Sequence, residues 1–117
     1  MPLTVSSHVE DNFAVLELAG SLTLGPSLNA LRDCTRDLLN GSKIFGLILN
    51  VGGVTIVDSA GLGELTVVYT FTSKRGVPLR LIHVTPNLRK MLEMTRLDGL
   101  LPVAQDLPTA KKELGAR

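Results

Sequence analysis

The chain has 117 residues, of which 44% are hydrophobic and 20% charged, and its formal net charge is +1. That size suits one small domain, residues 1–117, and that composition suits a packed core and excludes a disordered chain. Near-neutral charge and a total of four aromatic residues argue against a nucleic-acid partner, and the lone Cys34 excludes a disulfide framework and a multi-cysteine zinc site.

The opening Met-Pro-Leu-Thr-Val-Ser-Ser-His lacks a basic segment followed by an apolar run. No stretch approaches the ~18 uninterrupted apolar residues of a membrane span. A cytoplasmic protein with no membrane span is expected. Residues 3–9 alternate Leu3, Val5, Ser7, Val9 against Thr4, Ser6, His8, the period of an edge strand with one wet face. Glu10, Asp11 and Asn12 supply turn chemistry, and the apolar residues 13–19 complete a hairpin. Gly20 and Gly25-Pro26 then interrupt the chain.

Ser27 is placed to cap a first helix. Leu28, Leu31, Thr35, Leu38 and Leu39 keep helical spacing, Arg32, Asp33 and Arg36 point outward, and Asn40-Gly41 ends the element. Residues 44–51 are a nearly unbroken apolar run, the pattern of a parallel strand covered on both faces. The β-branched content of residues 65–72 favours a strand, yet Leu62, Leu65, Tyr69 and Thr72 line one helical face. Residues 79–84 form a clear strand. Two parallel strands need a crossover of a dozen or more residues, so 59–75 is assigned as helix against its propensity.

Pro86 opens a third helix at the favoured first position, with Leu88, Met91, Leu92 and Thr95 facing inward and Gly99 closing it. Residues 100–103 form a short last strand, and Pro108 to Leu114 a terminal helix. The order β-β-α-β-α-β-α-β-α predicts an α/β fold: a mainly parallel β-sheet with an antiparallel edge strand and about four helices.

The segment from Val57 to Gly63 is the most informative. A nucleophile elbow needs glycine two residues before its serine, and Val57 stands there. A phosphate-binding loop needs Gly-Lys-Ser/Thr, and a dinucleotide fingerprint needs glycine at position 66, which is Thr66. These failures point to a non-enzyme with no catalytic residues, no bound cofactor and no metal. Two readings of the segment remain open. In one, Asp58 or Ser59 only caps a helix, with Gly61 and Gly63 allowing that helix to approach the sheet. In the other, Ser59 sits at the carboxyl edge of the sheet, where α/β proteins bind ligands. Its hydroxyl there could accept a phosphoryl group, and helix N–H groups would tolerate the charge.

Gly53-Val54-Thr55-Ile56-Val57-Asp58-Ser59-Ala60-Gly61-Leu62-Gly63 resembles the signature of STAS domains, a family named for sulphate transporters and anti-sigma factor antagonists. The likeness extends to Gly20-Ser21-Leu22, to Val77-Pro78-Leu79-Arg80-Leu81 and to residues 88–102, and covers nearly the whole chain. Thr23 and Ala60 depart from it, since many members carry an acidic residue and a Ser or Thr there. The resemblance implies an anti-sigma factor antagonist of a bacterial partner-switching pathway. Its partners would be an anti-sigma factor that is also a serine protein kinase, and a serine phosphatase. It implies phosphorylation of Ser59 and partner contacts at Asp58, Ser59, Ala60, Gly61 and Glu64, with Glu64 and Thr66 as exposed rim positions. The alternative is a non-switching STAS scaffold or accessory subunit of a larger complex, such as a stress-signalling or lipid-transport assembly.

Cys34 reads as a small buried residue, His83 as a packed or edge histidine and His8 as exposed. Residues 1–58 hold three basic and six acidic residues, and 59–117 hold nine and five. The basic run Lys74, Arg75, Arg80, Arg89, Lys90 and Arg96 is either a solvated face or part of a docking surface for an acidic partner.

Overall fold

The computed structural model describes residues 2–41 and 43–115. Strands β1 (Thr4–Glu10) and β2 (Phe13–Leu22) form the expected antiparallel hairpin. Asp11 and Asn12 close it with φ of 53° and 66°, left-handed values that short polar side chains tolerate and that match the twist of the flanking strands. Helix α1 (Ser27–Gly41) leads to β3 (Gly46–Val57), α2 (Ser59–Lys74), β4 (Leu79–Ile82), α3 (Pro86–Met94) and α4 (Leu107–Gly115). The strand order is β1-β2-β3-β4, with β2–β3 and β3–β4 parallel. This is the mainly parallel sheet with an antiparallel edge that the element order predicts. Helix α2 forms where β propensity opposed it, because it carries the parallel crossover.

The period of two along the strands splits the core. Ala14, Leu16 and Leu18 of β2 join Leu47, Leu49 and Val51 of β3 in the larger cluster, which includes Leu28 and Leu31 of α1, Leu62, Leu65 and Val68 of α2, and Leu88 and Leu92 of α3. Phe13, Val15, Ile48 and Ile82 face the other way, against Ala110 and Leu114 of α4. Beyond that cover the same face turns polar, and Asn50 donates to the exposed Glu17 carboxylate at 3.3 Å.

Several boundaries differ from expectation. First, β2 and β3 run on through Gly20 and Gly52-Gly53 to end at Leu22 and Val57. Their pairing steps from Glu17–Asn50 to Ala19–Gly53, and from Gly20–Val54 to Ser21–Ile56. Each step adds one residue on β3, so two bulges bend the strand just before the junction with α2. A Cβ at Gly53 would lie 2.9 Å from the Leu18 carbonyl oxygen, so the strands can approach there only at glycine. Second, β4 stops at Ile82 because exposed His83 takes φ 57°. Third, α3 ends at Met94 and not at Gly99. Pro86 opens it as expected, with Thr85 capping its start, but Arg96 reverses the chain at φ 62° before a single 3₁₀ turn, Leu97–Gly99. Fourth, the last strand shrinks to one bridge between Leu81 and Val103. Pro102 has no N–H to donate, and its carbonyl accepts from Leu81 at 2.9 Å.

Candidate functional site

The carboxyl ends of β2 and β3 lie side by side, with Leu22 paired to Val57 and the Asp58 N–H donating to the Leu22 carbonyl at 3.3 Å. Helix α2 begins at the very next residue, Ser59. Asp58 makes so abrupt a start possible. Its backbone is extended, and its side chain accepts the Gly61 N–H at 2.9 Å through Oδ1. Its other oxygen, Oδ2, accepts the Leu24 N–H at 3.0 Å, tying the loop before α1 to the start of α2. The Leu24 and Gly61 donors, in that order, hold the Asp58 carboxyl below its ordinary value, against a smaller opposing effect of desolvation.

Gly61 is buried in the first turn of α2. A Cβ there would overlap the Leu22 carbonyl and sit 2.9 Å from its Cγ, so this turn can rest on the end of β2 only with glycine. Ser59 faces solvent from the first helical position, while Ala60 is half-buried and packs against the larger core cluster. Two large apolar side chains lie exposed at the same end: Leu24 at 80% and Ile56 at 57%. The result is an exposed hydroxyl at a helix N-terminus, beside an ionised carboxylate and an apolar rim. It can present serine to an enzyme or a partner surface. The positive end of the helix dipole would favour added negative charge.

A family model described as STAS domain matches residues 4–110. The chain belongs to the STAS domain family. Solved structures agree at the level of fold. A variant of RsbS from Moorella thermoacetica superposes with a TM-score of 0.82 at 18% identity, over 96% of this chain and 95% of that one. The Bacillus cell fate determinant SpoIIAA in its phosphorylated form gives 0.66 at 17% identity, over 89% and 92%. The murine Solute Carrier 26 family member A9 anion transporter gives 0.78 at 16% identity, over 99% of this chain but 22% of the transporter. At these identities the superpositions show a common fold and nothing beyond it.

In this STAS domain the signature residues occupy one strand-to-helix junction, and the structure settles which of them caps the helix. Asp58 is the cap and Ser59 the first helical residue. It also brings Asp58, Ser59, Ala60 and Gly61 together. Glu64 departs from its expected exposed rim position. Its side chain is only 7% exposed, and Arg32 of α1 grips it with two bonds, Nη2 to Oε1 at 2.8 Å and Nε to Oε2 at 3.0 Å. Glu64 and its ion pair raise the pKa of Arg32. Burying the carboxylate inside the α1–α2 contact requires this bidentate partner. Thr66 is half-buried, its hydroxyl donating to the Gly63 carbonyl at 2.6 Å. Gly63 itself meets open space and serves no close approach.

Two contributors escaped the sequence reading. Leu24 lies in a loop with no local signal, and only the fold brings its N–H to Asp58. Arg32 reads as an outward residue of α1, and indeed its side chain is 49% exposed, yet its head group completes the Glu64 pair. Two members of the basic run have internal partners: Arg75 lies 4.1 Å over the Phe71 ring, and Arg80 donates to Glu113 at 3.0 Å. Cys34 is partly buried against the core, and His8 is exposed. Among the described residues no helix is long and apolar enough to cross a membrane.

Proposed function

We propose that this STAS domain is an anti-sigma factor antagonist of a bacterial partner-switching pathway. In its unmodified form it binds an anti-sigma factor that is also a serine kinase, and phosphorylation of Ser59 releases it. The observation that carries this reading is the exposed Ser59 hydroxyl at the first position of α2, fixed at the carboxyl edge of the sheet by Asp58. The partner surface comprises Asp58, Ser59, Ala60 and the apolar rim of Leu24 and Ile56. Gly61 and Glu64 act beneath it, by seating α2 on the sheet and on α1.

The chain is the substrate and not the enzyme. Ser59 Oγ attacks the γ-phosphorus of ATP. The new O–P bond forms as the bond to the ADP leaving group breaks, and the hydroxyl proton passes to a base of the kinase. A serine phosphatase hydrolyses the ester and resets the domain. A phosphoserine adds about −1.5 to −2 charges. The helix N-terminus accommodates that charge in the free protein. In a close-packed interface the phosphate must lose its water, and the Asp58 carboxylate repels it. A loss of about 3 kcal/mol weakens a complex more than a hundredfold.

The test needs the purified partner, ATP and two variants. Ser59→Ala should bind the partner and take no phosphate, whereas Ser59→Asp should fold normally and bind at least about a hundredfold more weakly. No phosphate uptake by the wild type, with equal binding by the two variants, would sink the switch. The scaffold reading then replaces it, in which the domain is an accessory part of a larger assembly. One likeness favours that reading: the anion transporter shares this fold over a minor part of its length.

A further inference from the structure

We propose that the outer face of the second half of α2 is a second docking surface, shaped for an acidic amphipathic helix of a partner protein. It goes beyond the Ser59 site and does not depend on phosphorylation. Val67 lies eight residues beyond Ser59, about 12 Å along the helix axis, and Lys74 about 22 Å.

Val67 and Phe71 stand one turn apart on α2, Val67 at 39% exposure and Phe71 half-buried. A cleft flanks this apolar ridge on each side. One, of about 220 Å³, runs between α1 and α2 and is lined by Arg32, Thr35, Arg36, Val67, Val68 and Phe71. The other, of about 310 Å³, is lined by Thr66, Val67, Thr70, Phe71 and Lys74. An i, i+4 ridge between two grooves is the relief into which another helix packs its own ridges.

The charge of the rim selects the kind of helix. Arg32 and Arg36 line one cleft, Lys74 lines the other, and the Arg75 guanidinium covers the end of the ridge over Phe71. The carboxylates facing these cations are Glu64, paired with Arg32, and Asp33, paired with Arg36 at 2.7 Å. Neither carboxylate lines a cleft. Lys74 and Arg75 have no salt-bridge partner among the described residues. A helix with apolar residues toward Val67 and Phe71 and carboxylates toward Lys74 and Arg75 is complementary. A second copy of this chain would set lysine and arginine against their own kind.

The test uses two synthetic helical peptides of about 18 residues. Both carry leucines at i, i+3, i+4 and i+7, and one carries Glu and the other Lys at the outward positions. Titrated into the full chain, the Glu peptide should shift the backbone amides of residues 66–75. The Lys peptide should bind at least about tenfold more weakly, and Lys74→Glu combined with Arg75→Glu should weaken the Glu peptide about tenfold. Equal binding by both peptides, no shift at millimolar peptide, or shifts confined to other surfaces overturns the proposal. So does concentration-dependent shifting of the same amides without peptide, which would mark self-association. Ser59→Asp should leave the titration unchanged. If it abolishes binding, the surface belongs to the Ser59 site and the second site is refuted, with the partner-switch reading intact. If the Ser59 experiments fail while this titration succeeds, the docking surface stands alone.

Discussion

Asp58 connects two parts of the chain 34 residues apart, since one carboxylate oxygen takes the Leu24 N–H and the other caps α2. Folding favours its ionised form, because its pKa falls below the ordinary 3.8. Its contribution is therefore complete above the ordinary carboxylate range and disappears as pH falls through the depressed folded value. Wild type should be more stable than Asp58→Asn at neutral pH, and the gap should close on acidification. Urea midpoints measured across that range check the sign. A persistent gap at low pH would mean that Asp58 acts by something other than its charge. Gly61 and Gly63 make a second pair of predictions in the same turn. Gly61→Ala drives a methyl into the Leu22 carbonyl and should cost about 2–3 kcal/mol. Gly63→Ala meets open space and should stabilise by about 0.5–1 kcal/mol, the helix-propensity gain. Denaturant unfolding of both variants decides, and equal effects would contradict the placement of α2 on β2.

At the scale of the element, α2 shows how packing overrides local preference. Its β-branched residues cost it helix propensity, but Leu62, Leu65, Val68 and Thr72 form a continuous buried stripe. Its outer face keeps Val67 and Thr70 in solvent, and Thr66 and Thr72 satisfy their hydroxyls on carbonyls three residues back. The Arg32–Glu64 pair locks this helix to α1, and its two ends are unequally buried. Removing Arg32 leaves a buried carboxylate unpaired, whereas removing Glu64 leaves a guanidinium that can reach water. Arg32→Met should therefore lower the urea midpoint more than Glu64→Gln, and the double variant should lose less than the two single losses combined. Additive losses would mean that the two side chains do not interact.

Across the whole molecule the two faces of the sheet differ in cover. Three helices bury the larger core, while α4, with Ala104 from the segment before it, closes the second face over Phe13, Val15, Ile48 and Ile82. Leu114, only 2% exposed, is the far anchor of α4. Leu114→Ala should cost about 2–4 kcal/mol. Hydrogen exchange should show the loss as faster opening of α4, with the β2–β3 amides still the slowest. If the variant leaves the urea midpoint unchanged, α4 does not close the core. Lys111 of α4 also pairs with Glu10 at 3.1 Å and Asp11 at 2.9 Å, which ties this helix to the β1–β2 hairpin.

The amino-acid sequence by itself determined the order of elements up to the last strand, the parallel crossover through 59–75, the helix start at Pro86 and the Asp58-Ser59 junction. Each of these depends on short-range chemistry or on the topological need for a crossover. The tertiary structure alone decided the rest. Local rules break the chain at Gly20 and end the third strand's apolar run at residue 51, yet β2 and β3 run on through Gly20 and Gly52-Gly53 because each strand supplies the other's hydrogen bonds, and bulges absorb the surplus residues. Glu64 is charged and reads as solvent-facing. Only the arrival of Arg32 from another helix makes its burial tolerable. The Leu24 N–H and the exposed apolar rim at the Ser59 end are likewise set by contacts between distant segments, where neither propensity nor periodicity carries information.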